Sequence, residues 1–140
     1  MDTADTALRI LWGSPLPPVR SGVSDYAAEL LPELADLARV RVLVPDGWRP
    51  PSGWPEGLET VPLDASRHTE EIVVLHLGNN PYHLPFIDRL RSEPAAVVLH
   101  DAVLHHLLVE ETLGRGDAAA YEHRLEESYG SSVEPVVAAR

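Results

Sequence analysis

Cysteine and lysine are both missing from this chain of 140 residues. Without cysteine the protein can form no disulfide, no thiolate nucleophile and no zinc–thiolate site. Without lysine, all 11 cationic side chains are arginine, against 22 acidic ones, which gives a formal net charge of -11. A surface this acidic repels phosphodiester backbones and anionic lipids, so the charge argues against nucleic acids and membrane surfaces as partners.

Long apolar stretches are missing as well. No run approaches the roughly 20 apolar residues of a membrane span, and the run that starts at Leu8 is too short for the core of a signal peptide. With 44% hydrophobic and 24% charged residues, the composition is that of an ordinary soluble, folded domain. These properties predict a cytoplasmic protein with one domain, since 140 residues are too few for a two-domain enzyme.

Short apolar runs rich in β-branched residues predict the strands of a buried parallel sheet. Four runs have the length of a strand: 8–12, 40–44, 72–77 and 96–100. A fifth, weaker run covers 58–63. We expect this strand at an edge of the sheet, because Pro62 cannot donate a ladder hydrogen bond.

Helical patterns lie between and after these strands, at 24–38, 81–92, 101–113 and 118–129. Asp117 is a suitable N-cap for the last of them, and a further helix is expected to start at Val133. This order of elements predicts an α/β fold, a Rossmann-like parallel sheet with flanking helices and right-handed crossovers. Because no strand follows the last helices, we expect the natural protein to continue beyond Arg140.

Three polar segments follow predicted strands, at the edge where parallel sheets bind ligands. The first segment ends in Arg20, Ser21 and Gly22, at the start of a helix. Free N–H groups at a helix start suit a diphosphate, Gly22 lets the backbone approach it, and Arg20 can add a charge-assisted contact. A plain proline-stiffened helix cap explains the same residues. No G-x-G-x-x-G motif is present, which argues against NAD.

The second segment is Gly78-Asn79-Asn80-Pro81-Tyr82-His83. The amides of Asn79 and Asn80 both donate and accept hydrogen bonds, which suits ligands rich in hydroxyl groups. The same Asn-Asn-Pro sequence is also an ordinary turn and helix start. His83 falls on the first helical turn and faces either the cleft or water.

The third segment contains His100, Asp101, His105 and His106. His100 ends a predicted buried strand at the rim of the sheet, and Asp101 is expected to cap the following helix. His105 would then share a helix face with Asp101. A metal site is the alternative interpretation, but neighbouring histidines diverge around a helix and Asp101 is the one obvious third ligand.

Together, three phrases resemble the N-terminal domain of retaining GT-B glycosyltransferases, of the family-4-like group: SPLPPVRSGVSDYAAELLPELA, HLGNNPYH and VVLHDAVLHHL. The resemblance covers about Leu8 to Gly130, and YEHRLEESYG also fits it. It implies two Rossmann-like domains that face each other across a cleft. The N-terminal one mainly holds the acceptor, and the C-terminal one holds a nucleotide-sugar donor.

The resemblance also implies roles for single residues. Gly22, with Ser21 and Arg20 beside it, resembles the glycine near the donor phosphates, and His100 resembles the catalytic histidine that contacts the donor sugar. The acceptor side of the cleft would be lined by Asn79, Asn80, His83, Asp101 and His105. The family's donor-binding domain is not found in residues 1–140, so we expect the chain alone to be inactive. Neither a metal nor another cofactor is expected.

Two other functions fit the same residues. A non-catalytic sugar- or nucleotide-binding module needs the same polar edge of the sheet without a second domain. A His/Asp metallohydrolase would use the histidines and Asp101 as metal ligands. The sequence downstream of Arg140 distinguishes the binding module from the glycosyltransferase, and metal analysis distinguishes the hydrolase.

Overall fold

The computed structural model describes residues 7–130, which form a five-stranded, all-parallel sheet flanked by helices. The strands are β1 (Arg9–Gly13), β2 (Arg39–Val44), β3 (Glu59–Pro62), β4 (Glu71–Leu77) and β5 (Ala96–Leu99). The helices are α1 (Gly22–Leu37), α2 (Leu84–Ser92), α3 (His105–Thr112) and α4 (Ala118–Tyr129), with short 3-10 turns at Pro81–His83 and Leu113–Arg115. The predicted Rossmann-like α/β fold is confirmed.

Apolar layers cover both faces of the sheet. On one face, Ala27 and Leu31 of α1 pack with Trp12 of β1. On the other face, Phe86 of α2 packs with Leu11, the next residue along the same strand. Successive side chains of a strand point to opposite faces, so a strand covered on both sides is apolar throughout. This explains why the strands were visible as continuous apolar runs.

The two edge strands differ in how well the sequence predicted them. The spatial order is β3-β2-β1-β4-β5, so Pro62 lies in an edge strand, as its missing N–H predicts. The prediction that β5 is buried is wrong. All four of its side chains are exposed, Leu99 to 60%, because the apolar layers under α1 and α2 are built from β1, β2, β3 and β4.

Helix α3 begins later than predicted. It starts at His105, and Leu104 occupies the N-cap position without a side-chain cap hydrogen bond. The prediction that Asp101 caps this helix is therefore wrong. The Asp101 carboxylate instead accepts a hydrogen bond from the backbone N–H of Asn79, at 2.6 Å. Asp101 and His105 consequently do not share a helix face.

Helix α4 follows its prediction closely. The carboxylate of Asp117 accepts a hydrogen bond from the backbone N–H of Ala120 at 2.9 Å and so caps the helix. The helix expected from Val133 lies outside the described residues. Within residues 7–130, none of the helices combines the length and the apolar character needed to span a membrane.

Candidate functional site

The strand order reverses between β1 and β4, at the centre of the sheet. From β1 the chain continues to β2 and β3 on one side, and it then returns to form β4 and β5 on the other. Such a reversal opens a crevice at the carboxyl ends of the strands, and ligands of parallel sheets bind there. The three polar segments follow β1, β4 and β5 respectively, so all of them lie at this edge.

His100 follows β5 at this edge and contacts a second histidine, His76 of β4. His76 Nδ1 lies 2.8 Å from His100 Nε2. His76 is 1% exposed, whereas His100 is partly exposed. The ring of Trp12 packs on His76 with the ring centroids 4.0 Å apart, and Tyr26 meets His100 edge-on at 5.3 Å. His76 therefore holds His100 from inside the protein core.

Burial, together with the smaller effects of the neighbouring His100 and His83, lowers the pKa of His76 to about 4. His76 is therefore neutral at neutral pH and carries one ring proton. Its Nε2 has no hydrogen-bond partner among the described residues, and a buried N–H without an acceptor is rarer than a buried lone pair without a donor. We therefore assign the proton to Nδ1, which donates to His100 Nε2. A neutral His100 then carries its own proton on Nδ1, where a ligand can accept it.

His83 is fully buried beneath the crevice, at 0% exposure. Its Nδ1 lies 2.8 Å from the backbone carbonyl oxygen of His76. A carbonyl oxygen only accepts, so the proton of neutral His83 is on Nδ1 and Nε2 is an unprotonated acceptor. Burial lowers the pKa of His83. This effect is larger than those of the hydrogen bond and of the Asp101 carboxylate, which both raise the pKa. The residue thus supports β4 from below rather than facing the cleft or water.

Gly78 brings the chain between His83 and Asp101. A Cβ atom at this position would lie 2.7 Å from His83 Nε2 and 3.1 Å from Asp101 Oδ2. Such contacts are too close for any side chain, so the position requires glycine because of packing. The backbone after β4 is therefore fitted tightly to the residues on both sides of it.

Asn79 and Asn80 both cap the start of a helical segment. Asn79 Oδ1 accepts hydrogen bonds from the backbone N–H groups of His106 at 2.7 Å and Leu107 at 3.1 Å, at the start of α3. Asn80 Oδ1 accepts one from the N–H of Tyr82 at 3.1 Å. The amide oxygen of Asn79 thus accepts two hydrogen bonds from the protein, and that of Asn80 accepts one. Their NH2 groups are the donors that a ligand can use.

The histidines of α3 have partners on the helices. His105 Nε2 lies 3.4 Å from the hydroxyl of Tyr121 on α4, and His106 Nε2 lies 3.7 Å from a carboxylate oxygen of Glu110. In the part of the chain that the structure describes, no three His, Asp or Glu side chains are grouped as metal ligands.

The predicted phosphate-binding residues lie together at the start of α1. This helix begins at Gly22, two residues before the start of the helical pattern at 24–38. Ser21 is the N-cap, and its Oγ accepts a hydrogen bond from the N–H of Ser24 at 3.1 Å. Arg20, Ser21 and Gly22 line an open depression of about 530 Å³, together with Asp25. A Cβ atom at Gly22 would meet no heavy atom within 4 Å, and its φ is outside the left-handed region. Neither packing nor backbone conformation therefore requires glycine here.

Sequence reasoning missed His76 and Trp12 as residues of this site. His76 lies inside an apolar strand, and a polar residue in such a run is itself a signal, because buried polar groups need a partner.

A scan of protein-family models returned no match for the chain, and searches of curated proteins and of solved structures also returned none.

Proposed function

We propose that this chain is the acceptor-side domain of a retaining GT-B glycosyltransferase of the cytoplasm. With a C-terminal donor-binding domain, it would transfer a sugar from a nucleotide-sugar to an acceptor. The observation that carries this proposal is the contact between His76 and His100. It leaves the Nδ1–H of a partly exposed histidine available at the carboxyl edge of a parallel sheet, next to β4. A fixed donor of this kind can stabilise negative charge that develops on the reacting sugar.

Gly22 supports the placement of the donor phosphates. A glycine that the fold itself does not require is expected where a ligand comes close to the backbone. The first N–H groups of α1 and the helix dipole suit a diphosphate there. Arg20 adds positive charge in the same depression and offsets the negative charge of Asp25. In this proposal the phosphate charge is met by these groups and no metal is needed.

The acceptor would lie against the segments after β4 and β5. The NH2 groups of Asn79 and Asn80 can donate to its hydroxyl groups, and the exposed carboxylate of Asp101 can accept from them. Asp101 keeps one oxygen for such a contact, since only Oδ2 accepts from Asn79. His83 contributes indirectly, by supporting the backbone of His76 from the core.

The test compares the full-length gene product with residues 1–140 alone, using labelled UDP- and GDP-sugars and a panel of acceptors. We expect transfer by the full-length protein and none by the chain alone, because the leaving diphosphate needs charge stabilisation from both sides of a closed cleft. In the full-length protein, His100→Ala should lower kcat about a hundredfold with little change in Tm. His123→Ala, which removes an exposed histidine of α4, is the control and should keep full activity.

Three outcomes would overturn the proposal. Transfer by the chain alone would show that no second domain is needed. Near-normal kcat with a lowered Tm in His100→Ala would make His100 a structural residue. Binding of sugars without transfer by either protein would favour the non-catalytic binding module instead.

A further inference from the structure

A cavity of about 230 Å³ opens beside the crevice, at the carboxyl ends of β1, β2, β3 and β4. Its walls are mainly apolar, and they include Pro15, Leu16, Pro45, Trp48, Pro85 and Phe86. No charged side chain is among the described residues that line it. An ion would lose its hydration there without finding an opposite charge, so the cavity suits an uncharged group.

The walls of this cavity are held in place without a ligand. Proline fixes its own φ angle, and Pro15, Pro45 and Pro85 all belong to the lining. The indole N–H of Trp48 donates to the backbone oxygen of Pro17 at 2.8 Å, and its ring packs edge-on against Trp54 at 5.0 Å. The cavity is therefore organised before binding, which reduces the entropy lost when a ligand enters.

One buried polar side chain, that of Ser14, is among the residues that line this apolar space. Ser14 lines the cavity and is 2% exposed. Its Oγ accepts a hydrogen bond from the indole N–H of Trp12 at 2.7 Å. The hydroxyl proton of Ser14 finds no acceptor among the described residues, and a buried donor without an acceptor is costly. A ligand that brings an acceptor atom into the cavity would remove this cost.

We propose that the cavity binds an uncharged aromatic ring that carries an oxygen substituent, and that this oxygen accepts the hydrogen bond of Ser14. A closed apolar cavity of about 150 Å³ binds benzene, so the volume here holds a ring together with its substituent. The flat faces of Trp48 and of the prolines suit a planar ring. The ring would belong to the sugar acceptor. Only this last identification rests on the proposed function.

Trp12 connects the cavity to the histidine pair. Its indole N–H is bonded to Ser14, and its ring packs on His76, which contacts His100. An acceptor held by Ser14 would therefore be positioned by the same side chains that orient His100. This continuity places the ring-binding cavity and the transfer site in one structural unit.

The test titrates the 140-residue chain with phenol, toluene and benzoate and follows the indole N–H signals of Trp12 and Trp48 by NMR. We expect saturable binding of phenol with a Kd of about 1 mM or tighter. Toluene, which has no oxygen, should bind about fivefold more weakly, and benzoate should bind at least about tenfold more weakly because its charge is desolvated. Ser14→Ala should remove the difference between phenol and toluene.

Val19→Trp fills the cavity from one wall and should abolish phenol binding, and Leu63→Trp does the same from another wall. Val103→Trp is the matched control, since Val103 is 61% exposed and does not line the cavity. The melting temperature of each variant checks that it is folded.

The proposal is overturned if the indole N–H signals of the wild-type protein show no saturable shift up to the solubility of phenol. It is also overturned if both filled variants still bind phenol, or if benzoate or toluene binds as tightly as phenol. None of these measurements involves sugar transfer, so the outcome is separate from that of the proposed function.

Discussion

His76 Nδ1 and His100 Nε2 face each other at 2.8 Å, and only the second of these rings reaches solvent. Because burial keeps His76 neutral, the pair has one proton between the two facing nitrogens. In the proposed function, His76 would act through His100 and would be a positioning residue. The arrangement keeps the ring of His100 in one orientation while its other nitrogen is free for a ligand.

Acid should destabilise the protein through His76. Its pKa is about 4 in the folded state against 6.5 for the unperturbed group, so between these pH values the unfolded state binds more protons and the free energy of unfolding rises with pH. The contribution of His76 across this window is at most about 3 kcal/mol, and the lowered pKa of His83 acts in the same direction. Urea unfolding at several pH values should give a flatter dependence for His76→Leu than for wild type. An unchanged slope would contradict the assignment.

Gly22→Ala should separate stability from ligand binding. Nothing in the described structure contacts the added methyl group, so the reduced freedom of the unfolded chain should stabilise the protein by about 0.5 to 1 kcal/mol. If donor phosphates approach this backbone, the affinity of the full-length protein for UDP or GDP should fall. Gly57→Ala is the control, because a Cβ there also meets no atom and the residue lies at the other end of the sheet, before β3. Calorimetry that finds equal affinities in the two variants would remove Gly22 from the phosphate site.

Asn79→Ala should destabilise the protein even when no ligand is present. The change removes the oxygen that accepts from two N–H groups at the start of α3, and loss of such a cap costs about 1 to 2 kcal/mol. Asn79→Asp keeps an acceptor oxygen at the positive end of the helix dipole and should recover most of this loss. Urea unfolding measures both changes. Full stability in Asn79→Ala would mean that the amide has no capping role.

Gly78→Ala should also be destabilising, by about 1 to 3 kcal/mol, because the added methyl group overlaps the buried ring of His83. The movement needed to relieve this overlap shifts either His83 or the chain after β4. We therefore expect altered NMR signals for the ring of His76, whose backbone oxygen bonds to His83. Gly57→Ala again serves as control and should leave these signals in place. Unaltered signals together with wild-type stability would contradict the close approach.

The sequence predicted the central strands and the sheet because strands covered on both faces leave continuous apolar runs. It could not predict the exposure of β5, since an apolar run does not reveal whether another element covers it. The start of α3 was mispredicted for a related reason. Asp101 is a suitable cap by local rules, but its carboxylate bonds to Asn79, far away in sequence, and Asn79 then caps the helix instead.

The candidate site was predictable only in part. The polar segments after β1, β4 and β5 could be placed at one edge of the sheet by topology alone. The contact between His76 and His100 depends on the register between β4 and β5, in which His76 pairs with Val98. Pairing registers between strands that are distant in sequence are set by the tertiary fold. Their effect on the two histidines could therefore not be inferred from local patterns.

Among residues 7–130, strand β5 has a neighbouring strand on one side only, namely β4, so the two sides of its backbone differ. The N–H of His100 donates to the carbonyl oxygen of Leu77, so the N–H of Val98, two residues earlier, also points towards β4. The N–H groups of Val97 and Leu99 point away from it. Deuterium exchange should therefore alternate along this strand, fast at Val97 and Leu99 and slow at Val98. Any further strand that extends the sheet here must place its carbonyl oxygens opposite Val97 and Leu99, and this requirement fixes the alignment in which it can add.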